Sequence, residues 1–217
     1  MRFSLLSLAA MFSLVLVGAE PCPLPVVPRP AVAHPHSQGP ATFEFGPATR
    51  IRAPAGCQAA AQFRSWAKAN LGWELKAGKS AGRGGVRFVR VNNAALGDEG
   101  YAMQVSADRI VIQARGEAGW FYATQTLRQL LTPLDQPVAA APLPAVAIPC
   151  VSIEDQPRFS WRGLMLDESR HFFGKEKVKQ LLDQMGLHKL NRFHWHLTDE
   201  PAWRLEIQKY PALTAVG

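Results

Sequence analysis

The 217 residues are 47% hydrophobic and 19% charged, the balance of a folded globular chain and not of a disordered one. Lysine and arginine outnumber aspartate and glutamate, 24 to 17, for a formal net charge of +7. The basic residues are scattered, with no run of about five or six like charges, so they read as a solvated surface and argue against a nucleic-acid patch.

Residues 1–19 (MRFSLLSLAAMFSLVLVGA) have an arginine near the start, an apolar run and small residues at the end. This is the pattern of a secretory signal cleaved after Ala19, so the chain is expected to be exported, to the periplasm or beyond. The apolar run from Leu5 to Val17 is shorter than the ~20 residues that span a bilayer. Ala19-Glu20-Pro21 before Cys22 is a poor lipoprotein signal. Residues 20–40 are dense in proline and read as an extended arm, with His34 and His36 as polar linker residues. Export permits disulfides. Of the three cysteines, Cys57 and Cys150 could form a bridge or remain two buried thiols, and no CxxC spacing is present.

Residues 41–150 read as one α+β unit. The spacing of Ala59, Phe63, Trp66, Ala67 and Leu71 predicts a helix over Gln58–Leu71. Val86–Val91 alternates partly, as a half-buried strand does. YAMQVS and RIVIQA alternate around a turn at Ala107-Asp108 and predict a hairpin. Trp120, Ala123, Leu127, Leu130 and Leu131 then fall on one face of a helix that begins at Gly116-Glu117. Five prolines in residues 133–149 mark a domain boundary.

Residues 151–217 change character. Trp161–Asp167 is a short apolar run, suited to a strand covered on both faces. Lys175–Leu190 places Val178, Leu181, Leu182 and Met185 toward a core. Arg192–Thr198 follows as a second strand. Strand, helix, strand is a βαβ unit with parallel strands, whose C-terminal ends share one edge. Asp167-Glu168-Ser169-Arg170-His171 and His196-Leu197-Thr198-Asp199-Glu200 therefore converge where α/β proteins bind ligands. His194 and His196 share a strand face and could touch one metal ion, although His194 also suits a core histidine with a satisfied hydrogen bond.

Three segments, PRFSWRGLMLDESRHFF, MGLHKLNRFHWHLTDE and GYAMQVSADRIVIQARGEAGWFYATQTLRQLL, resemble the β-N-acetylhexosaminidases of glycoside hydrolase family 20, and WRLEIQKYPALTAVG looks like the family's continuation. The resemblance covers residues 41–217. It implies α/β plus α+β architecture: a small α+β domain over 41–150, then over 151–217 the first strands and helix of an incomplete (β/α)8 barrel. It further implies hydrolysis of terminal N-acetylglucosamine or N-acetylgalactosamine from glycans, with the substrate's acetamido oxygen as nucleophile and no cofactor or metal. By the same resemblance Arg170 grips ring hydroxyls, Asp199 supports a histidine behind the catalytic acid, and Asp167, His171 and His196 buttress the pocket floor. Where many members read Asp-Gln-Gly-Trp after Asp199, this chain reads Glu200-Pro201-Ala202-Trp203, so loop shape and leaving-group preference are expected to differ. After Asp199 the carboxylates are Glu200 and Glu206, and neither fits the family's catalytic Asp-Glu pair. The chain is therefore expected to be the N-terminal portion of a longer enzyme and inactive alone. A non-catalytic carbohydrate-binding module, or a metal-dependent hydrolase using His194 and His196, are the alternatives.

Overall fold

A computed structural model describes residues 24–35, 41–78, 84–133 and 142–216. Residues 1–19, expected from sequence to be a signal, and Cys22 and His36 lie outside the described residues. The strands are β1 (Val32–Pro35), β2 (Thr42–Phe45), β3 (Arg50–Arg52), β4 (Lys76–Ala77), β5 (Gly85–Arg90), β6 (Tyr101–Val105), β7 (Arg109–Ala114), β8 (Val146–Pro149), β9 (Val151–Asp155), β10 (Gly163–Asp167), β11 (Arg192–His196), β12 (Thr198–Asp199) and β13 (Ala202–Trp203). The α-helices are α1 (Gln58–Leu71), α2 (Glu117–Leu131), α3 (Lys175–Leu187) and the short α4 (Ala212–Val216).

The first unit is a seven-stranded mixed sheet in the order β1-β9-β6-β7-β5-β3-β4, with β2 and β8 as a separate antiparallel pair. Alternation drives it: Val86 and Phe88 on β5, Met103 and Val105 on β6, and Ile110 and Ile112 on β7 are buried. Helix α2 lays Trp120, Ala123 and Leu127 on that face. Gly119 permits the approach, since a Cβ there would lie 2.3 Å from the Gly100 carbonyl oxygen. The side chain of Cys57 does not cap α1; Glu117 accepts from the Gln58 and Ala59 N–H groups instead, at 3.3 and 3.1 Å. The helix ends at Gly72, in the left-handed region at φ 72°. Cys57 and Cys150 are both free and buried, and burial pushes both thiols up.

The hydrogen-bonded unit is wider than the expected 41–150. Strand β1 comes from the proline-rich arm, and β9 lies beyond the proline-dense boundary, yet the two pair antiparallel at the sheet edge. β9 continues onto β6 and carries buried Val151 and Ile153. The seam between the two units therefore falls after Asp155.

Beyond the seam, β10 and β11 pair in parallel, with Gly163 opposite Arg192 and Asp167 opposite His196, and α3 makes the crossover. Helix α3 buries Val178 and Met185, while Leu182 is exposed along the groove between α3 and the α1–α2 pair. The helix stops at Leu187, short of the expected Leu190, because Lys189 takes φ 61°. The N–H of Leu190 donates to the Met185 oxygen and that of Lys189 to the Gly186 oxygen, a helix end that ordinarily favours glycine at the left-handed position.

Three buried or half-buried links hold the units together. Lys189 Nζ lies 2.6 Å from Asp155 Oδ2, with both side chains nearly inaccessible. Arg162 presents both Nη groups to Glu99, at 2.9 and 3.1 Å, and donates to the Tyr122 hydroxyl. Gln129 on α2 donates to the carbonyls of Val27 and Leu187.

Candidate active site

Strand β10 ends at Asp167 and β11 at His196, and the Glu168 N–H still donates to the His196 carbonyl at 2.9 Å. This places the two polar runs at one edge. Arg170 joins them: its Nη1 donates to Asp167 Oδ2 and its Nη2 lies 2.9 Å from Asp199 Oδ2. Asp167 Oδ1 accepts from the N–H groups of Ser169 and Arg170, at 3.0 and 3.1 Å. Asp199 Oδ1 accepts from the Glu200 N–H at 2.8 Å, and His196 Nε2 is 3.3 Å from Asp199 Oδ2.

The electrostatics follow from these bonds. The Arg170 N–H first, then its guanidinium, hold Asp167 below the usual carboxylate range. The Glu200 N–H, then His196 and Arg170, do the same for Asp199. The two carboxylates raise the Arg170 guanidinium in turn. The Arg170 side chain remains mostly exposed, 62%, so this fixed cationic fork faces solvent with donors to spare.

Of the residues singled out in the sequence, Asp167, Arg170, His196 and Asp199 form one cluster. His171 stands apart, exposed, with its ring edge-on to Phe173 at 4.6 Å. His194 is exposed and so is not a buried core histidine; its ring centroid is 6.0 Å from that of His196. Among the described residues no three His, Cys, Asp or Glu side chains are grouped to hold a metal ion. The Glu200-Pro201 turn closes a small hairpin, β12 with β13, in which Thr198 faces Trp203 and the Trp203 indole N–H donates to the Leu205 carbonyl.

Sequence reasoning passed over Glu168 and Trp195. Glu168 is fully buried beside the cluster, and its Oε2 accepts the Trp195 indole N–H at 2.6 Å. The register sets Trp195 opposite Leu166, two residues before Glu168 and on the same side of the sheet, within reach of a long indole.

Fold and site together define a mixed α/β protein with an arginine–carboxylate cluster at the C-terminal edge of parallel strands. Two family profiles match it: "Glycosyl hydrolase family 20, domain 2" over residues 24–156 and "Glycosyl hydrolase family 20, catalytic domain" over residues 159–217. The chain belongs to glycosyl hydrolase family 20. A β-hexosaminidase of Porphyromonas gingivalis is 41% identical over 152 residues, 70% of this chain and 19% of that protein. The crystal structure of an exo-β-N-acetylglucosaminidase from Vibrio harveyi in complex with N-acetylglucosamine superposes with a TM-score of 0.74 at 32% identity, covering 92% of this chain and 29% of that one. The β-N-acetylhexosaminidase of Streptomyces coelicolor gives a TM-score of 0.74 at 36% identity, over 91% of this chain and 40% of that one. The chain thus spans less than half the length of each of these relatives.

Proposed function

We propose that the chain forms the small domain and the sugar-gripping first strands of an exo-β-N-acetylhexosaminidase, an exported (β/α)8-barrel enzyme acting on N-acetylhexosamine-terminated glycans. The observation that carries this is the Arg170 fork, fixed between Asp167 and Asp199 where β10 and β11 end together. Hexose hydroxyls suit such a fork, because each can accept from a guanidinium N–H and donate to a neighbouring carboxylate. In this reading Arg170 binds ring hydroxyls, and Asp167 holds the fork in place. Asp199 orients a histidine of the longer polypeptide behind the catalytic acid, and His196 supports the pocket.

The reaction is retaining and substrate-assisted: the acetamido oxygen attacks the anomeric carbon while an acid protonates the leaving oxygen. The acid and its acetamide-orienting neighbour belong to polypeptide other than these 217 residues. The isolated chain is accordingly expected to be inactive.

The test is turnover of a chromogenic N-acetylglucosaminide. The complete enzyme is expected to cleave it and the 217-residue chain is not. Loss of one hydrogen bond to a charged group costs about 1.5–3 kcal/mol, so Arg170→Ala is expected to lower kcat/KM by about tenfold or more. Wild-type turnover in that variant contradicts the assignment.

A further inference from the structure

Glu168 is 0% exposed, lies in the segment that carries Arg170, and has no part in the roles above. Its Oε1 accepts from the backbone N–H groups of both Phe173 and Gly174, each at 3.0 Å. Its Oε2 takes the Trp195 indole N–H from β11. Its carbonyl accepts from Arg204 Nε at 3.1 Å, beyond β13. One residue therefore closes the loop 168–174 on itself and ties it to the neighbouring strand. Arg170 sits inside that loop, so the backbone beneath it sets where its fork starts before Asp167 and Asp199 hold the tip. Asp167 fixes the near end through the Ser169 and Arg170 N–H groups, and Glu168 fixes the far end, where Gly174 takes φ 83°.

We infer that Glu168 is a positioning residue for sugar binding, clamping the Arg170 loop against β11; this rests on the reading of Arg170 given above. A carboxylate suits the place because all three side-chain partners are donors. The amide of Glu168→Gln would aim its own N–H₂ at either Trp195 or the loop amides, so one side of the clamp must open. A displacement of about 1 Å at a binding group costs up to about 100-fold in rate, and here the loss is bounded by what Arg170 itself contributes.

The experiment is a double-mutant cycle in the complete enzyme, with E168Q, R170A and both, read as kcat/KM on the chromogenic N-acetylglucosaminide. E168Q is expected to lose about tenfold when Arg170 is present, no more than R170A itself loses, and no more than about twofold when it is absent. A residue that only stabilises the fold gives the same loss in both backgrounds, and that result, or full activity in E168Q, overturns the proposal. Full activity in R170A overturns the Arg170 reading and the proposal with it, so the two failures are told apart. Should E168Q not fold, Trp195→Phe removes one donor from the same carboxylate and carries the same cycle, with about tenfold expected beside Arg170 and none without it. In the 217-residue chain, amide exchange at Phe173 and Gly174 is expected to accelerate in E168Q and stay slow in R170A; unchanged exchange in E168Q overturns the clamp.

Discussion

Replacing Lys189 by methionine tests what joins the two units. The lysine occupies a left-handed backbone position and buries its ammonium against Asp155 at 2.6 Å. Methionine keeps a side chain of similar length at the same φ, so the backbone strain cancels between the two proteins and the charge alone is removed. Taking one partner from a buried pair costs about 3–5 kcal/mol. Here the low end applies, because Asp155 keeps the Tyr101 hydroxyl at 3.2 Å and the Ala31 N–H at 3.1 Å as donors. A loss of about 3 kcal/mol in a chain of this size lowers Tm by roughly 6–12 °C. Urea and thermal unfolding followed by circular dichroism measure it.

The pair also has a pH signature. Burial holds Lys189 below its ordinary 10.5, against the opposing pull of Asp155. The unfolded chain therefore binds more protons than the folded one in the window just below 10.5. Stability contributed by this group rises with pH there, and K189M lacks that rise. Stability within about 0.5 kcal/mol of wild type in K189M, the scatter of ordinary surface substitutions, would refute the reasoning.

Gly119→Ala is expected to destabilise by about 1–3 kcal/mol in the same unfolding assay, because the new methyl meets the Gly100 carbonyl at 2.3 Å and the Ala114 Cβ at 2.8 Å. Helix propensity alone predicts a gain of about 1 kcal/mol, so the sign of the change decides whether packing governs α2. Asp167 and Asp199 are expected to titrate below their ordinary 3.8 in carboxyl-carbon NMR. With depressed folded-state values, whatever the Arg170 cluster contributes is present above 3.8 and is lost as pH falls through the folded values, so the cluster is expected to be intact at mildly acid pH. A midpoint at or above 3.8 for either carboxyl contradicts the bonding described for Arg170.

The parts of the fold that could be read in the sequence are those whose burial pattern is strong and local. The helix predicted over Gln58–Leu71 is α1, because five apolar residues at helical spacing allow no strand. The hairpin around Ala107-Asp108 is β6 and β7, where alternation is strict and both flanks are buried. Strand β1 escaped because VAHP has no apolar alternation and ends in proline, which reads as linker. Such a segment can pair only at a sheet edge, and β1 lies at one. Strand β9 did carry a signal, Val151 and Ile153 alternating with Ser152 and Glu154, but the prolines before it suggested a boundary. Of those prolines, Pro149 is the last residue of β8 and Pro142 and Pro144 lie just before it.

The site divides in the same way. The meeting of Arg170, Asp167 and Asp199 at one edge was legible because a βαβ topology fixes which residues share an edge, whatever their side chains do. His171 carried no such constraint, since a residue one past Arg170 in a loop can turn either way, and it turns to Phe173. Glu168 was hidden for the opposite reason. A glutamate at a strand end is ordinarily solvated, and only the arrival of two loop amides and an indole from separate segments makes its burial tolerable. The same convergence ties Arg170 to β11: the residues that grip and the residue that holds them are adjacent in the chain but depend on different partners in space. Substitutions at Asp167 therefore loosen the near end of the loop and substitutions at Glu168 the far end, while exchanging the Arg170 side chain leaves the Glu168 bonds at the far end in place.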